Sequence, residues 1–320
     1  MKKIERVYLS GLGAVGCVYA SMIHDTGSAQ LSVIADEDRI SRYTRDRITI
    51  NGKEYGFNFI LPASDNPPAD LILIAVKQHN LDESIRAIKN FIGTDTIILS
   101  LLNGISSEEI IGRAYGMDKI LRAFVLGTDS LREGTRVSFT NSGKIVFGAD
   151  RLIGPNSKIE SVKDLFDRTG IAHTVPDDIV REQWWKFMMN VGINQVSAIL
   201  RAPYGVFHSS AEAQELLRMA SMEVLAIAHK KGVNLAAADI AKQLDILRTL
   251  SPQGKTSMLQ DVEAGRKTEV EIFSGAVMAL GRELGVPTPV NEILYKMIRT
   301  LEGIPTASSS PAPRYPCGPS

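Results

Sequence analysis

Short, unbroken apolar runs bounded by polar or turn residues recur through the first half of the chain, at 7–10, 31–35, 71–76 and 96–102. Runs this short and without alternation predict strands covered on both faces, as in a parallel sheet. Residues 81–91 and 107–115 carry helical spacing between them and read as crossover helices, so the pattern predicts a doubly wound α/β arrangement. The pattern changes over 122–148. There Val137-Ser138-Phe139-Thr140, then Asn141-Ser142-Gly143, then Lys144-Ile145-Val146-Phe147 predict a hairpin joined to the sheet's edge. From about Asp177 the strand signal fades. Helical periodicity takes over at 182–200, 211–231, 236–250, 269–284 and 290–301.

Gly11-Leu12-Gly13-Ala14-Val15-Gly16 follows the first apolar run directly and opens into a helical segment. In that context the three glycines read as a dinucleotide fingerprint. The first makes a tight turn, the second admits a pyrophosphate, and the third lets helix pack on strand. The helix start then offers free N–H groups to phosphate. The expected architecture is therefore a Rossmann-like sheet domain over 1–175 and an all-helical domain over 176–302, with an active site in the cleft between them. Residues 303–320, rich in Pro, Ser and Ala, are expected to be a disordered tail. Its ending, Arg314-Tyr315-Pro316-Cys317-Gly318-Pro319-Ser320, is set aside as an appended remnant would be.

Composition narrows the function class. Lys+Arg and Asp+Glu both number 36 in 320 residues, so no net charge draws the chain to nucleic acid or an anionic membrane. No run approaches the roughly 18 apolar residues of a membrane helix, and the early apolar stretch lacks a signal-cleavage pattern. The two cysteines, Cys17 and Cys317, make no disulfide framework. A cytoplasmic setting is expected. The five histidines show no metal-ligand spacing, so no metal site is expected.

Asp36 lies about 20 residues past the fingerprint, where a carboxylate accepts the ribose 2′-hydroxyl and repels a 2′-phosphate. It argues for NADH, whereas Arg39, Arg42, Arg45 and Lys77 lie close enough in sequence to form a phosphate pocket. Lys77 and Asn103-Gly104 stand where strands deliver their carboxyl ends to a ligand.

Lys186, Asn190 and Asn194 are spaced four apart on one helix face, while Trp184, Trp185, Phe187, Met188, Val191 and Ile193 make the remainder apolar. An unpaired buried polar group costs about 1–3 kcal/mol, so this face is expected to line a wet cleft. Further on, Ser257-Met258-Leu259-Gln260-Asp261 precedes a helix break at Gly265. Thr268 with Glu271 reads as a capping box that makes Glu269 the first helical residue, near a positive helix end.

Taken in this order, the pieces resemble the ketopantoate reductase (2-dehydropantoate 2-reductase) family over residues 1–302. The match runs through the fingerprint, Ala75-Val76-Lys77, Leu102-Asn103-Gly104, Trp185-Lys186-Phe187-Met188-Met189-Asn190 with Asn194, Ser257-Met258-Leu259-Gln260-Asp261, Lys267-Thr268-Glu269 and Gly285-Val286-Pro287-Thr288-Pro289-Val290-Asn291. The resemblance implies reduction of 2-dehydropantoate to pantoate by NADPH, toward pantothenate and coenzyme A. It implies Lys186 as general acid, Glu269 on the substrate hydroxyl and Ser257 on its carboxylate. Asn190 and Asn194 would orient the substrate. Lys77 and Asn103 would line the cofactor side, Asn103 touching substrate as well. Two positions depart from the family: Asp36 stands where relatives often carry arginine, and Tyr204 where some carry a substrate-touching asparagine. The first keeps NADH in play; the second keeps open another branched 2-keto acid or an imino acid. A non-catalytic NAD(P)H sensor is disfavoured by the intact lysine set. The implied partner is a small 2-keto acid, and the family pattern allows a homodimer.

Overall fold

The computed structural model describes residues 2–150 and 156–304, so of the expected tail only Gly303 and Ile304 fall within the described residues. The chain divides into two compact units, Met1–Gln183 and Trp184–Ser320.

The first unit carries strands β1 (Arg6–Ser10), β2 (Gln30–Ile34), β3 (Ile48–Ile50), β4 (Lys53–Tyr55), β5 (Asn58–Ile60), β6 (Leu71–Ile74), β7 (Ile97–Ser100), β8 (Ile120–Leu126), β9 (Leu131–Glu133), β10 (Arg136–Ser138), β11 (Lys144–Gly148) and β12 (His173–Thr174). Its helices are α1 (Ala14–Thr26), α2 (Glu37–Asp46), α3 (Leu81–Ile88), α4 (Ser107–Tyr115) and α5 (Ser157–Thr169). The main sheet runs β12-β11-β8-β7-β6-β1-β2-β5. The run from β8 through β5 is parallel, whereas β11 lies antiparallel to β8. All four residues of β6 and of β7 are buried, which is why their sequences show no alternation. Successive side chains nevertheless part to opposite faces. Leu71 and Leu73 join the cluster formed with α1 and α5, while Ile72 and Ile74 join the one formed with α3 and α4. The doubly wound arrangement follows from this two-sided burial.

The expected hairpin at 137–147 is not formed. β10 pairs with β9 and β3 in a separate four-stranded sheet, and β11 returns to β8 in the main one. The turn between β10 and β11 is shaped by Asp129, whose Oδ1 accepts the backbone N–H groups of Thr140 and Asn141. Those amides are thereby withdrawn from any ladder. The local hairpin lies one step earlier, between β9 and β10, around Gly134 at φ +61°.

The helical unit contains α7 (Tyr204–Ser209), α8 (Ala211–Lys230), α9 (Ala237–Thr249), α10 (Ser257–Glu263), α11 (Ser274–Leu284) and α12 (Pro289–Gly303); α6 (Ile179–Leu200) begins just before the unit boundary. One buried amide organises it. Asn291, fully buried, donates from Nδ2 to Glu223 Oε2 at 2.7 Å and to the Ala220 carbonyl at 3.2 Å, and accepts from Ser274 Oγ at 2.9 Å. Glu223 also accepts the backbone N–H groups of Val290 and Asn291. A carboxylate from α8 thus satisfies donors that the start of α12 would otherwise leave orphaned.

The helix expected at 269–284 is broken. Val270–Ile272 form one 3₁₀ turn and α11 proper begins at Ser274. In place of the predicted capping box, Thr268 Oγ1 accepts the Val270 N–H, and both side chains have partners remote in sequence. Thr268 Oγ1 donates to Glu302 Oε1 of α12, and Glu271 Oε1 accepts from Tyr295 Oη. Glu269 consequently precedes a short turn at φ −99°, ψ 28°, and is not the first residue of a regular helix.

Candidate active site

The nucleotide turn is built by backbone sterics. β1 ends at Ser10 in register with Ile34 of β2 and Ile74 of β6, and Ile74 faces Ser100 of β7. Gly11, Asp36, Lys77 and Asn103 therefore all leave the sheet at the same carboxyl edge, with the first crossover going to β2 on one side of β1 and β6 lying on the other. This is the position at which open α/β sheets bind ligands.

Gly11 sits at φ +103°, and a Cβ there would lie 2.6 Å from the Ala75 carbonyl oxygen. A Cβ on Gly16 would lie 2.0 Å from the Gly11 carbonyl oxygen, so the third glycine permits the helix–strand approach. Gly13 is different. Its Cβ would meet nothing nearer than Ala75 O at 3.5 Å, an ordinary contact. Gly13 is also the N-cap of α1 and supplies no side-chain cap, so no side chain of its own covers the first-turn N–H groups. The turn fits a dinucleotide: tight where the protein packs on itself, and bare where a phosphate would approach. Leu12 is buried beneath it, and Ala14 and Val15 open the helix.

Asp36 is the N-cap of α2. Its Oδ1 accepts the Arg39 backbone N–H at 2.7 Å, and Arg39 Nη1 stands 3.2 Å from Oδ2. The same Nη1 donates to Glu83 Oε1 of α3 at 2.6 Å. Glu83 first, and Asp36 after it, raise the guanidinium's pKa. The other two arginines are engaged as well: Arg42 lies over the Tyr43 ring, 5.1 Å from its centroid, and Arg45 pairs with Asp46 at 2.6 Å. Lys77 lies half-buried before the 3₁₀ turn Gln78–Asn80.

Asn103, also half-buried, lies in the connection from β7 to α4. The base of that loop is closed by Ser100 and Ser107, whose hydroxyl oxygens stand 2.8 Å apart. Next to Ser107 is Glu108, fully buried, accepting from Ser107 Oγ at 2.9 Å and from Gln183 Nε2 at 2.6 Å. Arg122 donates to Gln183 Oε1 and pairs with Asp150. Burial pushes the Glu108 carboxyl above the usual carboxylate range, against the pull of Arg122 and its hydrogen bonds. Because the folded state then holds the proton more tightly than the unfolded chain, this group's contribution to stability falls as pH rises through the raised value. Glu108→Gln can still accept from Gln183, and it can donate to the Ser107 hydroxyl. In urea denaturation from pH 4 to pH 8, the wild type should lose stability relative to Glu108→Gln as pH increases. A difference independent of pH would show that the Glu108 carboxyl binds its proton equally in the folded and unfolded states.

In the helical unit, α6 is buried nearly all round. Lys186 is 8% and Asn194 6% exposed, while Asn190 on the same face is half-buried. A stripe facing bulk solvent is thereby excluded. The start of α10 is docked on α6 by Thr256, which caps α10 by accepting the Leu259 N–H and donates to Ser197 Oγ at 3.1 Å. Ser257, the next residue, is exposed beside that junction. Glu269 is half-buried in a segment secured to α12 by the bond from Thr268 to Glu302. Tyr204 opens α7 against the 251–254 turn: its N–H donates to the Gly254 carbonyl, and a Cβ on Gly254 would lie 2.8 Å from its ring. Burial raises its phenol pKa. Among the described residues no group of three or more His, Cys, Asp or Glu side chains is arranged to hold a metal ion, and no helix is long and apolar enough to cross a membrane.

Sequence reasoning missed Glu83, Glu108, Gln183 and Glu223. Glu83 and Glu108 occupy first turns of helices, where acids are common as dipole partners, and only the tertiary structure distinguishes their roles.

Comparison with known proteins places the chain. Residues 7–151 match the family model for ketopantoate reductase PanE/ApbA, and residues 178–302 match the model for its C-terminal region. A 2-dehydropantoate 2-reductase of Streptococcus pyogenes serotype M6 is 25% identical over 304 residues, covering 93% of this chain and 98% of the relative. Among solved structures, a PanE/ApbA family ketopantoate reductase from Ralstonia eutropha JMP134 superposes with a TM-score of 0.79 at 24% identity, over 93% of this chain and 98% of that one. D-mandelate dehydrogenase in complex with NADH superposes with a TM-score of 0.83 at 23% identity, over 93% and 99%. With both of its parts matched by the two models of one family, the chain belongs to the ketopantoate reductases and is an NAD(P)H-dependent, 2-dehydropantoate 2-reductase-like oxidoreductase.

Proposed function

We propose that this protein reduces the ketone of 2-dehydropantoate to the alcohol of (R)-pantoate, a step toward pantothenate and coenzyme A in the cytoplasm. The observation that carries the reading is a lysine, Lys186, only 8% exposed among Trp184, Trp185, Phe187 and Met188 on a largely buried helix, and accompanied on its face by Asn190 and Asn194. Lysine is seldom buried in a soluble protein, and a buried lysine set beside polar side chains is a candidate for proton transfer.

Reduced nicotinamide, when bound, supplies the hydride. As negative charge develops on the carbonyl oxygen, Lys186 Nζ stabilises it and delivers the proton that completes the alcohol. Asn190 and Asn194 orient the substrate along α6. Ser257 holds its carboxylate and Glu269 accepts from its hydroxyl. On the cofactor side, Gly11 to Gly16 hold the pyrophosphate, Asp36 the adenosine ribose, and Lys77 and Asn103 line the remainder, with Asn103 also reaching substrate.

A second reading is favoured by Tyr204. Its ring fills space against Gly254, three residues before Ser257, and thereby alters the region expected to meet the substrate's tail. In that reading the substrate is another branched 2-keto acid. Steady-state reduction of 2-dehydropantoate, 2-oxoisovalerate and pyruvate, each with NADH and NADPH, separates the two. The first reading requires kcat/KM for 2-dehydropantoate at least about tenfold above the others, equivalent to about 1.4 kcal/mol of transition-state discrimination.

A further inference from the structure

The carboxyl end of β2 bears an unusual charge arrangement. Arg39, the arginine nearest Asp36, is bracketed by two carboxylates: Asp36 at 3.2 Å and Glu83 at 2.6 Å from the same Nη1. Glu83 belongs to α3, reached through β6 on the other side of β1, so the bracket spans the switch point of the sheet. One guanidinium between two carboxylates leaves a net charge of about −1 here, and Glu37 and Asp38 add further negative charge in the first turn of α2.

We propose that Glu83 is a cofactor-specificity residue: by holding Arg39 against Asp36 it sets the guanidinium nearest Asp36 against two carboxylates, and that pair of carboxylates selects NADH over NADPH. The inference rests on the dinucleotide-binding part of the proposed function and adds a residue outside the fingerprint.

Two features of the geometry support it. A carboxylate offers about four lone-pair sites, so Asp36 can hold the Arg39 N–H and guanidinium and still accept a ribose hydroxyl. A phosphate monoester carries about −1.5 to −2 at neutral pH, and beside Asp36 and Glu83 it would meet like charge on both sides. Both contacts are made at Arg39 Nη1, so the charge of this guanidinium is already matched by two carboxylates and would draw a 2′-phosphate only weakly. Arg42 lies over the adjacent Tyr43 ring and Arg45 pairs with the adjacent Asp46, so neither touches the bracket.

Because all three side chains of the bracket are substantially exposed, at 41% for Arg39 and 47% for both Asp36 and Glu83, the effect of each pair is modest and is read as a ratio. The test is equilibrium binding of NADH and of NADPH by isothermal titration calorimetry at low ionic strength, with no substrate present. Wild-type protein should bind NADH about tenfold or more tightly than NADPH, and Glu83→Gln should narrow that ratio by about threefold or more through tighter NADPH binding. Asp36→Ser keeps an N-cap oxygen for Arg39 and so preserves α2 while removing the second carboxylate. It should narrow the ratio further. Wild-type preference for NADPH, equal affinity for the two, or a ratio unmoved by Glu83→Gln overturns the assignment. Binding of neither nucleotide overturns it together with the proposed function. Failure of 2-dehydropantoate as a substrate, with the binding ratios as expected, overturns only that substrate.

Discussion

Lys186→Ala should lower kcat by about 10²-fold or more while nucleotide binding persists, because it removes the group proposed to supply a proton as charge develops on the substrate oxygen. The nucleotide turn is made by residues of the first unit, so its affinity has no reason to follow the loss. Lys186→Arg sharpens the test. A guanidinium keeps the positive charge but releases its proton far less readily, so the arginine variant should remain much slower than wild type if proton delivery matters. It should recover most of the rate if charge alone does. The measurements are steady-state kinetics with saturating 2-keto acid and fluorescence titration of the reduced nucleotide. An alanine variant within about threefold of wild type would remove Lys186 from the chemistry, since that corresponds to less than about 0.7 kcal/mol.

Gly16→Ala carries the second large effect. The added methyl would lie 2.0 Å from the Gly11 carbonyl oxygen, far inside contact distance. Gly11 is itself confined, since a Cβ built on it would lie 2.6 Å from the Ala75 carbonyl oxygen and 2.7 Å from Val76 Cγ1. The start of α1 must therefore move off β1. We expect a stability loss of about 1–3 kcal/mol or more, and with it the loss of nucleotide binding. Gly13→Ala is the control. Its methyl meets only an ordinary contact at 3.5 Å, so folding should be close to normal and any damage confined to nucleotide affinity. Thermal denaturation in the presence and absence of NADH distinguishes the two: Gly16→Ala should lower Tm without ligand, whereas Gly13→Ala should mainly lose the shift that ligand produces. Equal Tm values for the two variants without ligand would contradict the steric account.

Much of this was legible in the chain because the relevant physics is local. The buried strands of the main sheet announce themselves as short apolar runs, since both faces are covered and no alternation is allowed. The glycine turn is legible for a similar reason: backbone clashes require glycine at positions 11 and 16. What failed depended on partners remote in sequence. The segment from Val137 to Phe147 has the composition of a hairpin, but Asp129 claims its turn amides and its two strands go to different sheets. Thr268 and Glu271 have the spacing of a capping box, but Glu302 and Tyr295 hold them. The ion pair from Arg39 to Glu83, 44 residues along the chain, likewise left no sign in the sequence.

The carboxylate of Glu223 on the first amides of α12 has a mechanical consequence. Helix ends usually fray, yet this one is bolted at its beginning by Glu223 and Asn291 and near its finish by Glu302. Among the described residues, α12 is therefore held near both of its ends. Local breathing of this half of the molecule must loosen α8, α11 and α12 together, so its slow motions are collective, and weakening any one of these anchors softens the other helices with it.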